Sequence, residues 1–213
     1  MVQTRRTARK TIRTALLILV GTCFVGLGAC SGPGPADSNP TGAQPKTIAI
    51  GATIEPVTLD FTASDDAAIG QVLLYNVYET LVKIDASGRI RPLLALQYEQ
   101  SKDRLEYTFD LDPKAKFASG SPVDAAAVVA SIERVKDAAS ATLKEHMAVV
   151  KEAVAVDAHT VKVTLTRPSN RWIYDMASTA GIIVDPAAGD LAATALGSGP
   201  FQVGDWLAGD HIA

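Results

Sequence analysis

The stretch 73–124, LLYNVYETLVKIDASGRIRPLLALQYEQSKDRLEYTFDLDPKAKFASGSPVD, decides how this chain is read. An apolar helix end (Leu73, Leu74, Val77) runs into a short β-type segment at 81–84. Asp85-Ala86-Ser87-Gly88 has the composition of a turn, and a Pro-punctuated crossing follows. Apolar residues then alternate at Leu105, Tyr107, Phe109 and Leu111, the period of a strand with one buried face. Phe117 closes the unit, and the loop Ala118-Ser119-Gly120-Ser121-Pro122 leads to Asp124 as a helix N-cap. These patterns predict a small, hairpin-rich α+β unit. They contain no set of nucleophile, base and orienting group.

The same reading extends to both sides. Downstream, Val128, Val129, Ile132 and Val135 fall at three- and four-residue spacing and predict a helix from Asp124 to Val135. A second, shorter helix is expected over 140–150. Segments 152–156 and 161–165 flank Asp157-Ala158-His159-Thr160 as a hairpin, and Pro168 ends the pair. Residues 170–177 read as helical and 182–184 as a short buried strand stopped by Pro186. Upstream, Ile48 and Ile50 predict a strand that breaks at Gly51, and 55–60 is extended around Pro56. Asp65 or Asp66 can cap a helix over 67–78. Near the C-terminus, Gly209-Asp210 should turn one strand into a partner, of which only three residues follow. The expectation from that ending is a truncated product, a fragment or a split gene.

The N-terminus carries a different signal. Arg5, Arg6, Arg9, Lys10 and Arg13 form a basic region without an acid, followed by an apolar run over 15–29 that is short and rich in small residues. That is the pattern of a secretory signal rather than of a membrane span. It ends in Leu27-Gly28-Ala29-Cys30, which resembles the bacterial lipobox, where the cysteine is acylated and becomes the new N-terminus. The expectation is a lipoprotein signal peptide over 1–29, lipid on Cys30, and localisation outside the cytoplasm on the cell membrane. An ordinary signal peptide with an incidental cysteine, or an uncleaved anchor, is the alternative. Arg5-Arg6 admits twin-arginine export, but Thr7-Ala8-Arg9 lacks the bulky apolar residues of such signals, so the general secretory route is expected. Residues 30–46, rich in Gly, Pro, Ser and Asn, read as a disordered linker.

Cleavage would remove Cys23 and lipidate Cys30, leaving no cysteine for a disulfide, a cysteine nucleophile or a cysteine metal site. Beyond residue 30 the chain has 15 basic against 23 acidic residues, a net of −8. An acidic domain is a poor partner for nucleic acid, whose affinity rests on neutralised phosphates.

Taken in order, YNVYETLVKIDASGRIRPLLALQYEQSKDRLEYTFDLDPKAKFASGSPVDAAAVVASIERV, VAVDAHTVKVTLTRP and LGSGPFQVGDWLAGDHI resemble the family 5 extracellular solute-binding proteins of ABC importers. That type includes oligopeptide-, dipeptide- and nickel-binding proteins. Departures are Tyr98 where Trp is usual, Ser119 for Asp, Ser198 for Thr and Phe61 for Pro, all changes on the scale of packing. The resemblance implies an α+β (mixed α/β) fold: the first lobe of a two-lobed, type II (class C) periplasmic-binding-protein-like structure, over 47–213. An inserted subdomain would span about 76–184, with 47–75 and 185–213 belonging to the ligand-facing subdomain. The implied function is that of a lipid-anchored receptor for peptides or similar small solutes, delivering them to an ABC permease, with no cofactor and no nucleic acid. Loss of binding in this form, as a remnant lobe, is expected from the missing second lobe. A secreted lipoprotein hydrolase is the competing class, and it would need a catalytic set that the sequence does not display.

By the same resemblance the loop after Leu59-Asp60 lines the cleft, and its backbone pairs with extended ligands by strand addition. That maps to Ser64, Asp65, Asp66 and Ala67. For either aspartate the competing reading is a helix N-cap with a solvated acid. Tyr75 and Tyr78 read as packing residues. His146, His159 and His211 lack metal-ligand spacing. Gly197-Ser198-Gly199 lacks the strand–elbow–helix context of a hydrolase serine and reads as a turn that needs glycine's φ freedom, with Pro200 opening a strand.

Overall fold

The computed structural model describes residues 47–192 and 194–213. The signal peptide, Cys30 and the linker expected over 1–46 lie outside the described residues. Ala49–Ala213 gathers into one compact unit. Its elements in chain order are α1 (Ala67–Val72), β1 (Glu79–Thr80), β2 (Val82–Ile84), β3 (Ile90–Pro92), β4 (Ala95–Gln100), β5 (Glu106–Leu111), α2 (Ala125–Lys136), α3 (Ala141–Met147), β6 (Val150–Ala155), β7 (Thr160–Leu165), α4 (Trp172–Asp175), β8 (Ile182–Ile183), β9 (Trp206–Leu207) and β10 (His211–Ile212). Among the described residues no helix is long and apolar enough to cross a membrane.

An antiparallel sheet of order β4-β5-β7-β6 forms the main layer. The alternation read in the sequence is real: Tyr107, Phe109 and Leu111 of β5 are buried, as are Val161, Val163 and Leu165 of β7, with polar residues between them. Helix α2 covers this apolar face through Val128, Ile132 and Val135, at the three- and four-residue spacing of one helical stripe. Asp124 caps it, accepting the Ala127 N–H at 2.8 Å. Trp172 of α4, fully buried, completes the core with its ring centroid 4.9 Å from that of Tyr107. Each such large side chain taken from water contributes about 1.5–3 kcal/mol.

Small pairings surround this layer. Strand β1 pairs with β8, Glu79 opposite Ile183 and Thr80 opposite Ile182, so the middle of the chain is tied to a segment about a hundred residues later. Strands β2–β3 and β9–β10 form antiparallel hairpins. The partner strand expected after Gly209-Asp210 is β10, and Gly209 takes the turn with φ 82.

Three expectations need correction. Residues 47–50 form no strand, and Ile48 and Ile50 are exposed, because none of the described strands supplies hydrogen bonds to them. Helix α1 stops at Val72 instead of running to residue 78. Tyr75 adopts φ 63, its N–H turns back to the Tyr78 carbonyl (2.7 Å), and its hydroxyl donates to the Ala177 carbonyl at 2.6 Å. Pro200 opens no strand; pairing resumes only at Trp206.

The β9–β10 hairpin carries a pH-dependent element. His211 lies between two carboxylates, with Nδ1 2.9 Å from Asp210 and Nε2 3.2 Å from Asp205. Both ring nitrogens thus face acceptors, and Asp210 first, with Asp205, raises the imidazole pKa above its ordinary value of 6.5. A raised pKa contributes stability that is fully present below pH 6.5 and lost as pH rises through the folded value. We expect the His211 ring resonances to titrate above those of an unfolded histidine, and amide protection in the hairpin to fall above that transition. An NMR pH titration in which His211 titrates at or below 6.5 would contradict this.

Candidate functional site

The polypeptide from Thr58 to Ala68 is built from residues that hydrogen-bond to the main chain two places on. Thr58 Oγ1 accepts the Asp60 N–H (3.1 Å), and Asp60 accepts the Thr62 N–H (2.8 Å) and hydroxyl (2.7 Å). Ser64 Oγ accepts the Asp66 N–H (3.1 Å), and Asp66 accepts the Ala68 N–H (2.9 Å) as N-cap of α1. Each is a local side-chain turn that shapes a loop without a regular ladder. The second Asp66 oxygen accepts the Val57 N–H at 3.0 Å, which fastens the preceding extended segment to the loop.

Beneath it, Leu59 and Phe61 are buried, and the Phe61 ring packs at 5.7 Å on the fully buried Tyr78. Burial, followed by the Asp60 charge, pushes the Tyr78 phenol pKa upward. Asp65 accepts a hydrogen bond from the Ser140 hydroxyl, while Ser140 N–H donates to the Thr62 carbonyl at 3.1 Å. Because Ser140 is also the N-cap of α3, that helix is anchored on the loop.

The structure brings Ser64, Asp65, Asp66 and Ala67 together on one wall of an open hollow of about 350 Å³. Gly70 and Gln71 of α1 extend that wall, and Thr142, Leu143, Ser178 and Thr179 face it. The side chains of Ser64, Asp65 and Asp66 are all engaged in holding the loop or α3. Asp66 is therefore the N-cap that the competing reading described. Among the described residues the N–H groups of Ser64, Asp65 and Ala67 have no protein partner, and all three residues line the hollow. Replacing Asp66 by Ala should cost about 1 kcal/mol, the usual value of an N-cap. It should also raise hydrogen exchange at Val57 and Ala68, measured by NMR; unchanged exchange at both would remove Asp66 from this role.

The sequence reading missed Ser140 and the Thr142–Leu143 wall, because their approach to the loop spans some 75 residues and has no local signature. Tyr78 packs in the core, as expected, while Tyr75 is half-buried with its hydroxyl on the Ala177 carbonyl. Ser198 donates to Glu79 at 2.9 Å, with no histidine in the contact. His146 sits beside Arg171 (3.1 Å) and Asp175 (3.9 Å), and among the described residues no group of three or more His, Cys, Asp or Glu is placed to hold a metal ion. The Gly197-Ser198-Gly199 segment corrects a reason rather than a position. Neither glycine has positive φ; a Cβ on Gly197 would lie 1.9 Å from the Val77 carbonyl oxygen, and one on Gly199 2.4 Å from that of Asn76.

Comparison with known proteins now gives this geometry a family. The model of bacterial extracellular solute-binding proteins, family 5 Middle, matches residues 89–213, more than half of the chain. The chain belongs to this family of solute-binding proteins. It is 33% identical over 186 residues to the probable D,D-dipeptide-binding periplasmic protein DdpA of Escherichia coli (strain K12), covering 80% of this chain and 36% of that protein. It is 28% identical over 176 residues to the glutathione-binding protein GsiB of Pectobacterium atrosepticum, covering 80% and 34%. The chain thus spans about a third of the length of these curated relatives.

Among solved structures, AgaA in complex with agropinic acid, from A. tumefaciens R10, superposes with a TM-score of 0.68 at 34% identity, over 74% of this chain and 33% of that one. The murein tripeptide-binding protein MppA of Escherichia coli gives 0.65 at 26% identity, over 72% and 34%. The fold is that of a lobe of a type II periplasmic binding protein. The relatives are named for what they bind and not for a reaction.

Proposed function

We propose that this chain is the first lobe of an extracytoplasmic substrate-binding component of an ABC importer, taking peptides or similar small solutes and passing them to a membrane permease. The observation that carries this reading, and favours binding over the non-binding remnant expected from the sequence, is the loop 58–68. Its side chains are turned to its own support, and Ser64, Asp65 and Ala67, whose main-chain N–H groups have no protein partner among the described residues, line an open hollow. Such donors suit the carbonyl groups of an extended peptide, which any sequence of side chains presents alike. Relatives named for a dipeptide, for glutathione and for a murein tripeptide support peptides as the solute class.

In this reading residues 1–29 are a lipoprotein signal peptide, Cys30 carries the lipid, and 30–46 tether the lobe to the membrane. About 76–184 form an inserted subdomain between ligand-facing segments 47–75 and 185–213. Function is capture, with no bond made or broken, so a bound peptide is recovered intact. The anchoring part is tested by labelled palmitate: wild-type chain should incorporate label and partition with membranes, and Cys30→Ala should do neither. Incorporation by the alanine variant would overturn the assignment. The binding part is tested by incubating the chain with di- and tripeptides and recovering them; cleavage products that persist in the purified chain would favour the hydrolase reading instead.

A further inference from the structure

One face of the β2–β3 hairpin collects charge in a way that neither the core nor the candidate site uses. Lys83 lies directly opposite Arg91 in the register, and Arg89 follows on the same face by the two-residue alternation of a strand. Like charges directly opposite destabilise a strand pair. Asp85, across from Arg89, is the one acid among them. Its Oδ1 accepts the Ser87 and Arg89 N–H groups (2.9 and 3.0 Å), and its Oδ2 accepts Arg91 Nε (2.8 Å). Arg89 Nε donates to Ser87 Oγ at 2.8 Å.

Each guanidinium is therefore fixed through Nε, while its terminal amino groups have no protein partner among the described residues. Both side chains are exposed, Arg89 at 68% and Arg91 at 48%. Three cations share this face with one carboxylate, which Arg91 and the turn amides already occupy, on a chain that is net −8 beyond residue 30.

From this geometry we infer that the β2–β3 hairpin is a membrane-facing element whose Lys83, Arg89 and Arg91 take the phosphate of an acidic phospholipid headgroup. A free phosphate ion is best held in a concave cradle of donors, whereas these groups stand on the open face of an exposed hairpin. That arrangement suits a membrane surface, where spread cations meet anionic headgroups. The three cations are too few for a nucleic-acid track. The inference rests on the anchoring reading, because a linker of the 30–46 kind has a root-mean-square span on the order of 20 Å and keeps the lobe close to the bilayer. The hairpin would then orient an otherwise repelled acidic lobe.

The test uses the full chain with Cys30→Ser, so that no lipid is attached, and follows amide NMR shifts. Probes are short-chain phosphatidylglycerol, the matching phosphatidylcholine, and inorganic phosphate. Phosphatidylglycerol should shift the amides of 83–91, salt should diminish the effect, and phosphatidylcholine should leave them unmoved. Arg89→Gln/Arg91→Gln should weaken the response roughly thirtyfold, from the usual contribution of each cation near an anionic surface. Lys83→Gln, which removes no hydrogen bond within the protein, should weaken it severalfold with the fold intact. Equal shifts with phosphatidylcholine, saturation by inorganic phosphate, or shifts that spare 83–91 would each overturn the inference. Failure of palmitate labelling on wild-type chain would instead overturn the anchoring reading, and the two failures are read in separate experiments.

Discussion

Gly197→Ala is expected to destabilise the protein by about 3 kcal/mol or more, at the upper end of the cost of overpacking. The new Cβ would lie 1.9 Å from the Val77 carbonyl oxygen, 2.7 Å from its carbon and 2.8 Å from Tyr78 Cδ1. Backbone gives way less readily than a side-chain tip. The same carbonyl oxygen accepts the Gly199 N–H at 3.0 Å, and Asn76 O accepts that of Phe201 at 3.0 Å, so movement to relieve the clash breaks the seam between 76–78 and 197–201. Gly197 O also accepts the Ala118 N–H at 2.8 Å, tying in the loop after Phe117. Urea denaturation measures the loss. Gly51→Ala is the control, since nothing lies within 4 Å of its Cβ position, and it should change stability by less than about 0.5 kcal/mol. Equal midpoints for Gly197→Ala and wild type would contradict the close approach.

Trp172→Ala should cost about 3–5 kcal/mol, as expected for removal of a buried aromatic side chain. Its ring touches both aromatic residues of β5, with centroids 4.9 Å from Tyr107 and 6.3 Å from Phe109. Helix α4 has only four residues, with Ser169 Oγ accepting the Trp172 N–H at 3.1 Å, too short to stand by helix propensity without this packing. The buried Nε1 has no partner among the described residues, so Trp172→Phe removes none of their hydrogen bonds and should cost much less than the alanine change. Denaturant titration of the two variants separates these values. A phenylalanine variant as unstable as the alanine one would show that indole shape, not apolar filling, is what α4 requires.

What could be read from sequence follows from locality. The β5 alternation, the α2 stripe and the Asp124 cap depend on residues a few places apart, and the structure has all three. The stop of α1 could not be read, because 67–78 contains no proline and no late glycine. The helix ends where Tyr75 reaches Ala177, 102 residues away, and where the Asn76 and Val77 carbonyls accept the Phe201 and Gly199 N–H groups. Ile48 and Ile50 show the converse failure: alternation without a partner makes no strand. At the candidate site, Asp66 was legible as a cap because the cap bond spans two residues. The tie from Asp65 to Ser140 was not, since its two ends share no periodicity or motif. The glycines at 197 and 199 were placed correctly but for the wrong reason, because crowding by another segment leaves no trace in their own neighbours.

The most direct measurement of the central claim is an amide NMR titration of the chain with unlabelled di- and tripeptides. The account predicts that shifts concentrate at Ser64, Asp65 and Ala67, which line the hollow with unpartnered N–H groups among the described residues, with smaller changes at Thr142 and Thr179. Peptides with different side chains should give the same pattern, because the contact is to their main chain. A spectrum that stays still across the whole titration, or one that moves only away from 64–67, would contradict it.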